Sequence, residues 1–112
     1  MLNVSESTEG DIVVISLDGR LDTATSADFD FALEPHTEKA TRLLVDLTGI
    51  QYVSSAGLRV FLMLAKKLQK VGGKLVLCNM SSSVREVFDI AGFSKILQIE
   101  ADREDGLKAL AA

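Results

Sequence analysis

Apolar positions fall along this chain in two different rhythms. Leu2 and Val4 alternate with polar neighbours, and a second apolar stretch, Ile12-Val13-Val14-Ile15, opens after Thr8-Glu9-Gly10-Asp11. Alternation at period two around a glycine-containing turn predicts an opening hairpin, its second strand ending near Gly19. Leu43-Leu44-Val45 is a continuous apolar run, the pattern of a central strand covered on both faces. The rhythm then changes. Leu58, Phe61, Leu62, Ala65 and Leu68 recur at i, i+3, i+4, i+7 and i+10, which predicts a helix packed on a sheet. Lys74 to Cys78 reads as the next strand, and Val84, Val87, Phe88 and Ala91 as the stripe of a third helix. Ile96-Leu97-Gln98-Ile99 reads as a short last strand, followed by a terminal helix with Leu107 and Leu110 facing inward.

The residues between these segments supply the boundaries. Thr25 followed by Asp28 has the form of a capping box, and Phe29 and Leu33 lie one turn apart on the helix it opens. Pro35 is expected to end that helix or kink it, because proline lacks a backbone donor and clashes with the preceding turn. Gly72-Gly73 supplies the left-handed residue that closes the second helix. Ser81-Ser82-Ser83 caps the third helix, Gly92 terminates it, and Asp102 caps the last one. The order β-β-α-β-α-β-α-β-α predicts an α/β fold: one domain over residues 1–112, with helices packed on a mixed central sheet of four to five strands.

Composition narrows what such a domain does. A chain of 112 residues that is 47% hydrophobic supports one proper core. A net charge of −4 leaves no overall basic field for nucleic acid, so protein partners are expected instead. Met1 to Glu6 lacks the basic and apolar regions of a signal peptide, and Val60 to Ala65 is far too short to span a bilayer. The expected setting is the cytoplasm, with no membrane insertion. Cys78 is the one cysteine, excludes an internal disulfide, and reads as a small core residue of its strand. His36, beside Pro35 and Thr37-Glu38-Lys39, reads as a surface residue.

Candidate chemistry gathers where the central strand runs into the second helix, from Asp46 to Leu58. Two adjacent hydroxyls, Ser54 and Ser55, precede the small residues Ala56 and Gly57. A serine at a helix start commonly accepts a hydrogen bond from one of the helix's unpaired amides, so capping is the first reading of Ser55. Catalytic constellations are missing: there is no phosphate loop, no Gly-x-Gly-x-x-Gly and no paired zinc ligands. A nucleophile elbow would need glycine two residues before its serine and a histidine to take the proton. No catalytic residue, cofactor or metal is therefore expected. Asp22, Asp46 and Ser55 all lie at or just beyond strand ends and are expected to converge at one end of the sheet. A small phosphotransfer or nucleotide-hydrolysing enzyme using Asp46 and Asp22 is the alternative from another class. On the second helix Arg59, Met63, Lys66 and Lys70 fall opposite the apolar stripe, so Met63 should be exposed among cations. That face is either a solvated basic surface or a docking patch.

Tyr52-Val53-Ser54-Ser55-Ala56-Gly57-Leu58 resembles the signature of anti-sigma factor antagonists, single-domain members of the STAS family, usually written Asp-Ser-Ser/Thr/Ala-Gly-Leu. Gly19-Arg20-Leu21-Asp22, Gly72-Gly73-Lys74-Leu75 and the segment from Ser83 to Gly92 are similar to further family motifs in the same order. The resemblance implies a protein that in its unmodified form binds an anti-sigma factor that is also a GHKL-type serine kinase, freeing the sigma factor. It further implies that the kinase phosphorylates Ser55, with Ser54 as the alternative acceptor, and that a serine phosphatase resets the switch. Asp22, Asp46, Ser54, Ala56 and Gly57 would surround the phosphosite. Ser54 stands where many relatives carry Asp. Within binding modules, the alternative is a STAS subunit of a transporter or of a secretion-control system, with Ser55 only a cap.

Overall fold

The computed structural model describes residues 1–39 and 41–111. Its strands are β1 (Leu2–Glu9), β2 (Ile12–Leu21), β3 (Arg42–Val53), β4 (Lys74–Cys78) and β5 (Gln98–Glu100). Its helices are α1 (Thr23–Leu33), α2 (Ser55–Lys70), α3 (Ser82–Ile90) and α4 (Arg103–Ala111). The five strands form one mixed sheet in chain order, with β1 antiparallel to β2 and every later neighbour parallel.

The sheet is covered on both faces, which explains the unbroken apolar run of β3. Leu43, Val45 and Leu47 join the larger core with Phe29 of α1, Phe61 of α2 and Phe88 of α3. Leu44 points the other way, into a smaller core with Ile12, Val14, Val76, Cys78 and Leu110 of α4. Three phenylalanines tie the helices of the larger face together. The Phe61 ring lies 5.4 Å from that of Phe29, edge to face, and 5.8 Å from that of Phe88. α4 is held at both ends by side chains. Asp102 accepts from the Asp105 amide at 2.9 Å, while Arg42 donates to the Leu110 carbonyl at 3.0 Å and Lys74 to that of Ala109 at 3.3 Å. Its Gly106 sits so close to the sheet that a Cβ there would stand 2.6 Å from Leu44 Cδ1.

Several boundaries differ from the sequence reading, each for a local reason. β2 continues past Gly19 to Leu21, still paired with β3. The capping box at α1 starts at Asp22 rather than Thr25. Asp22 Oδ1 accepts from the Thr25 amide and Thr25 Oγ1 from the Asp22 amide, both at 3.0 Å, so Thr25 is the reciprocal member and Asp28 is simply exposed. On α2 it is Leu64, not Leu62, that enters the core. At 100° per residue Leu62 lies about 100° from Phe61, at the rim of the apolar arc, whereas Leu64 lies about 60° away. The last strand begins at Gln98 rather than Ile96, because the Ile96 and Leu97 amides are both spent on the Phe93 carbonyl of a preceding 3₁₀ turn. His36 is half-buried rather than free on the surface, its Nε2 lying 2.8 Å from Glu6 Oε1 of β1. Pro35 follows directly on α1 within a 3₁₀ turn, and Gly72 and Gly92 take left-handed conformations after α2 and α3, as expected.

Candidate functional site

Parallel pairing of β2 with β3 brings two helix starts together. Leu21 and Val53, the last residues of these strands, are register partners, so α1 and α2 begin side by side at the same end of the sheet. The Ser54 amide donates to the Leu21 carbonyl at 2.8 Å and fastens one start to the other. Gly57 makes this approach possible, since a Cβ there would stand 3.0 Å from Val53 Cγ1 and 3.1 Å from Leu21 Cβ.

The capping role at α2 belongs to Ser54 and not to Ser55. Ser54 is extended and its Oγ accepts from the Gly57 amide at 3.2 Å. Ser55 is the first helical residue and is exposed. The reading of Ser55 as a cap is thereby corrected: its hydroxyl is available on the surface at the positive end of a 16-residue helix. Across the junction, the amide and then the hydroxyl of Thr25 hold the Asp22 carboxyl below its ordinary range, so this neighbour is a carboxylate committed to its own helix.

Next to Ser55, and reaching its neighbour Ala56, a groove of about 270 Å³ lies between α1 and α2, lined by Thr23, Ser26 and Asp30 on one side and Arg59, Met63 and Lys67 on the other. Met63 is 44% exposed, as expected. Lys66 and Lys70 are exposed too, but the groove takes Arg59 and Lys67 as its cations. The sequence reading missed Lys67, although its place one turn beyond Met63 was a usable signal. Ser26 is buried at 2% exposure, and among the described residues its Oγ has no hydrogen-bond partner. Also missed was a cation–π contact at the strand ends, where the Arg20 guanidinium lies 4.4 Å from the Tyr52 ring centroid.

Asp46 does not join this site. Its carboxylate faces α4, where Oδ2 accepts from Arg103 Nη2 at 2.8 Å and Nε at 3.2 Å. Its Oδ1 accepts from the Thr48 amide at 2.9 Å, from Asn79 Nδ2 at 3.2 Å and from the Thr48 hydroxyl. Arg103 also donates to Ser16 Oγ at 3.1 Å. Burial alone would raise the Asp46 pKa, but these hydrogen bonds from Thr48, Arg103 and Asn79 outweigh it and hold the group below its ordinary value. The expected convergence with Ser55 fails because Asp46 is a mid-strand residue sharing the face of Leu44, whereas the groove lies on the face of Val45. Burial, helped by the nearby Asp46 charge, pushes the Cys78 thiol up to about 12, which suits an inert core residue. Among the described residues, no group of three or more His, Cys, Asp or Glu is placed to hold a metal ion, and no helix is long and apolar enough to cross a membrane.

The STAS domain family model matches residues 3–106. The chain belongs to the STAS domain family. A relative named a putative anti-sigma factor antagonist, BtrV, from Bordetella bronchiseptica is 40% identical over 94 residues, covering 83% of this chain and 81% of its own. The anti-sigma-B factor antagonist of Bacillus subtilis is 30% identical over 107 residues, 96% of this chain and 98% of its own. In three dimensions, the crystal structure of an anti-sigma factor antagonist from Mycobacterium paratuberculosis superposes with a TM-score of 0.91 at 19% identity, over 100% of this chain and 96% of the other. That likeness supports the five-stranded mixed sheet and four helices of this STAS domain as the family fold.

Proposed function

We propose that this STAS domain is an anti-sigma factor antagonist of the cytoplasm. Its unmodified form binds an anti-sigma factor that is also a GHKL-type serine kinase, and phosphorylation of Ser55 switches binding off until a serine phosphatase restores it. One observation carries the Ser55 assignment: Ser54 occupies the cap, which leaves Ser55 as an exposed hydroxyl beside a groove lined by Arg59, Met63 and Lys67. The relatives named as antagonists supply the class of partner. A phosphate on Ser55 would meet the amides of the first turn and the favourable end of the helix dipole, so the fold carries it without damage. An added charge of about −1.5 to −2 acts instead on the partner's contact surface.

Ser55→Asp tests this directly. The substitution leaves the Ser54 cap intact and places a negative charge at the start of α2, so the variant should melt within a few degrees of wild type. Its affinity for the anti-sigma factor kinase should fall by roughly 5- to 150-fold, as for a typical coupling of 1–3 kcal/mol, and nearer the low end because Asp carries one charge. Ser55→Ala should bind as wild type does. Equal affinity of folded Ser55→Asp and Ser55→Ala in one calorimetric titration rejects charge at Ser55 as the switch.

The groove has its own check. Met63→Glu puts a carboxylate at a position that is 44% exposed, so stability should hold while partner affinity drops about tenfold. Unchanged affinity removes this groove from the interface, and a large fall in melting temperature would mark Met63 as core.

A further inference from the structure

The exposed residues of α2 around Ser55 are not equivalent. At 100° per residue Ser55 and Arg59 lie about 40° apart around the helix and one turn apart along it, which places their Cβ atoms about 5–6 Å from one another. Arg59 therefore stands between two features, with the Ser55 hydroxyl on one side and the groove it lines with Met63 and Lys67 on the other. Arg59 takes part in none of the ion pairs formed among the described residues, so its guanidinium is uncommitted. A negative group one turn N-terminal to a cation is the favoured order for such a pair on a helix. Arginine presents a planar fork of donors that matches a phosphoryl group in two hydrogen bonds.

We propose that Arg59 is the intramolecular partner of the phosphoryl group on Ser55, so that modification withdraws a cation from the rim of the α1/α2 groove at the same time as it adds an anion. The inference rests on Ser55 as the acceptor and explains how one phosphate changes the docking surface by more than its own charge. Before modification the groove offers Arg59 and Lys67 against Asp30. After it, Arg59 turns to the phosphate and Lys67 alone faces Asp30. Lys66 points to the same side of α2 as Ser55, but eleven residues on it lies about 16 Å along the axis and cannot substitute.

The test installs phosphoserine at position 55 during protein synthesis, so it does not depend on any kinase, and follows the phosphate's second ionisation by ³¹P NMR. Arg59→Gln should raise that pKa by roughly 0.3 unit or more relative to the phosphorylated wild type, because a cation favours the dianion. Arg59→Lys should retain part of the effect and Lys66→Gln should leave it unchanged. The helix dipole, Asp22, Asp30 and Lys67 are common to all these proteins and cancel in the comparison. An identical pKa in wild type and Arg59→Gln, or an equal shift from Lys66→Gln, overturns the proposal. Titration of the same phosphorylated proteins with the anti-sigma factor kinase separates the two ideas. A phosphate that blocks binding while ignoring Arg59 keeps the switch and rejects the clamp. A phosphate that senses Arg59 but leaves affinity untouched keeps the clamp and rejects the switch.

Discussion

Phe61→Ala should cost about 3–5 kcal/mol of stability, the usual range for emptying a buried aromatic site. Phe61 is fully buried and its ring contacts both Phe29 of α1 and Phe88 of α3, so truncation opens a cavity where three helices meet and also deletes two aromatic contacts. Domains of this size are stable by about 5–15 kcal/mol, so the variant should still fold in the cold yet unfold far earlier in urea. Phe61→Leu, which keeps most of the volume, should lose much less. A loss below about 1 kcal/mol for Phe61→Ala would mean that the helices close over the gap. Phe29 and Phe61 belong to the two helices that border the groove, so the truncation should also alter the groove.

Asp46→Ala should destabilise by about 2–3 kcal/mol. Removing one member of a buried ion pair costs about 3–5 kcal/mol when the other is left wholly buried. Here the Asp46 side chain is 7% exposed but that of Arg103 is 41% exposed, so the abandoned guanidinium recovers water and the cost falls below that range. The loss includes the amide of Thr48 and the side chain of Asn79, which lose their acceptor. A pH signature accompanies it. The folded pKa of Asp46 is depressed, so its contribution is fully present above the unfolded carboxylate value of about 4 and disappears as pH falls below that through the folded value. Asp22 and Asp89 have depressed values as well, from their bonds to Thr25 and to Ser94 and Arg85, and they persist in the variant. Wild type should therefore lose stability more steeply than Asp46→Asn as pH falls below about 4, with the two curves converging in stronger acid. Parallel curves would show that the carboxylate contributes no pH-linked stability. Because Asp46 faces α4, either substitution should leave partner affinity unchanged wherever the protein is folded. A binding loss as large as that of Ser55→Asp would return Asp46 to the candidate site.

Most of the architecture was legible in the sequence because its causes are local. Period-two alternation and the Gly10-Asp11 turn set the hairpin, period-3.6 stripes set α2 and α3, and left-handed Gly72 and Gly92 set where those helices stop. Lys74 to Cys78 emerged as β4 with the expected bounds, and Met63 emerged exposed among cations, since a helical wheel needs no tertiary information. The wheel also carried Lys67, which went unused. The features that make the site required the third dimension. Which of two adjacent serines caps α2 depends on the last paired residue of β3, and that is set by its register with β2 at Leu21, 32 residues earlier in the chain. Asp46 read as a strand-end carboxylate until the sheet's two covered faces separated it from Ser55 and joined it to Arg103, 57 residues away. Periodicity reports which side of an element is apolar, but it carries no information on which element covers that side. The groove beside Ser55 exists only because parallel pairing starts α1 and α2 at the same end of the sheet.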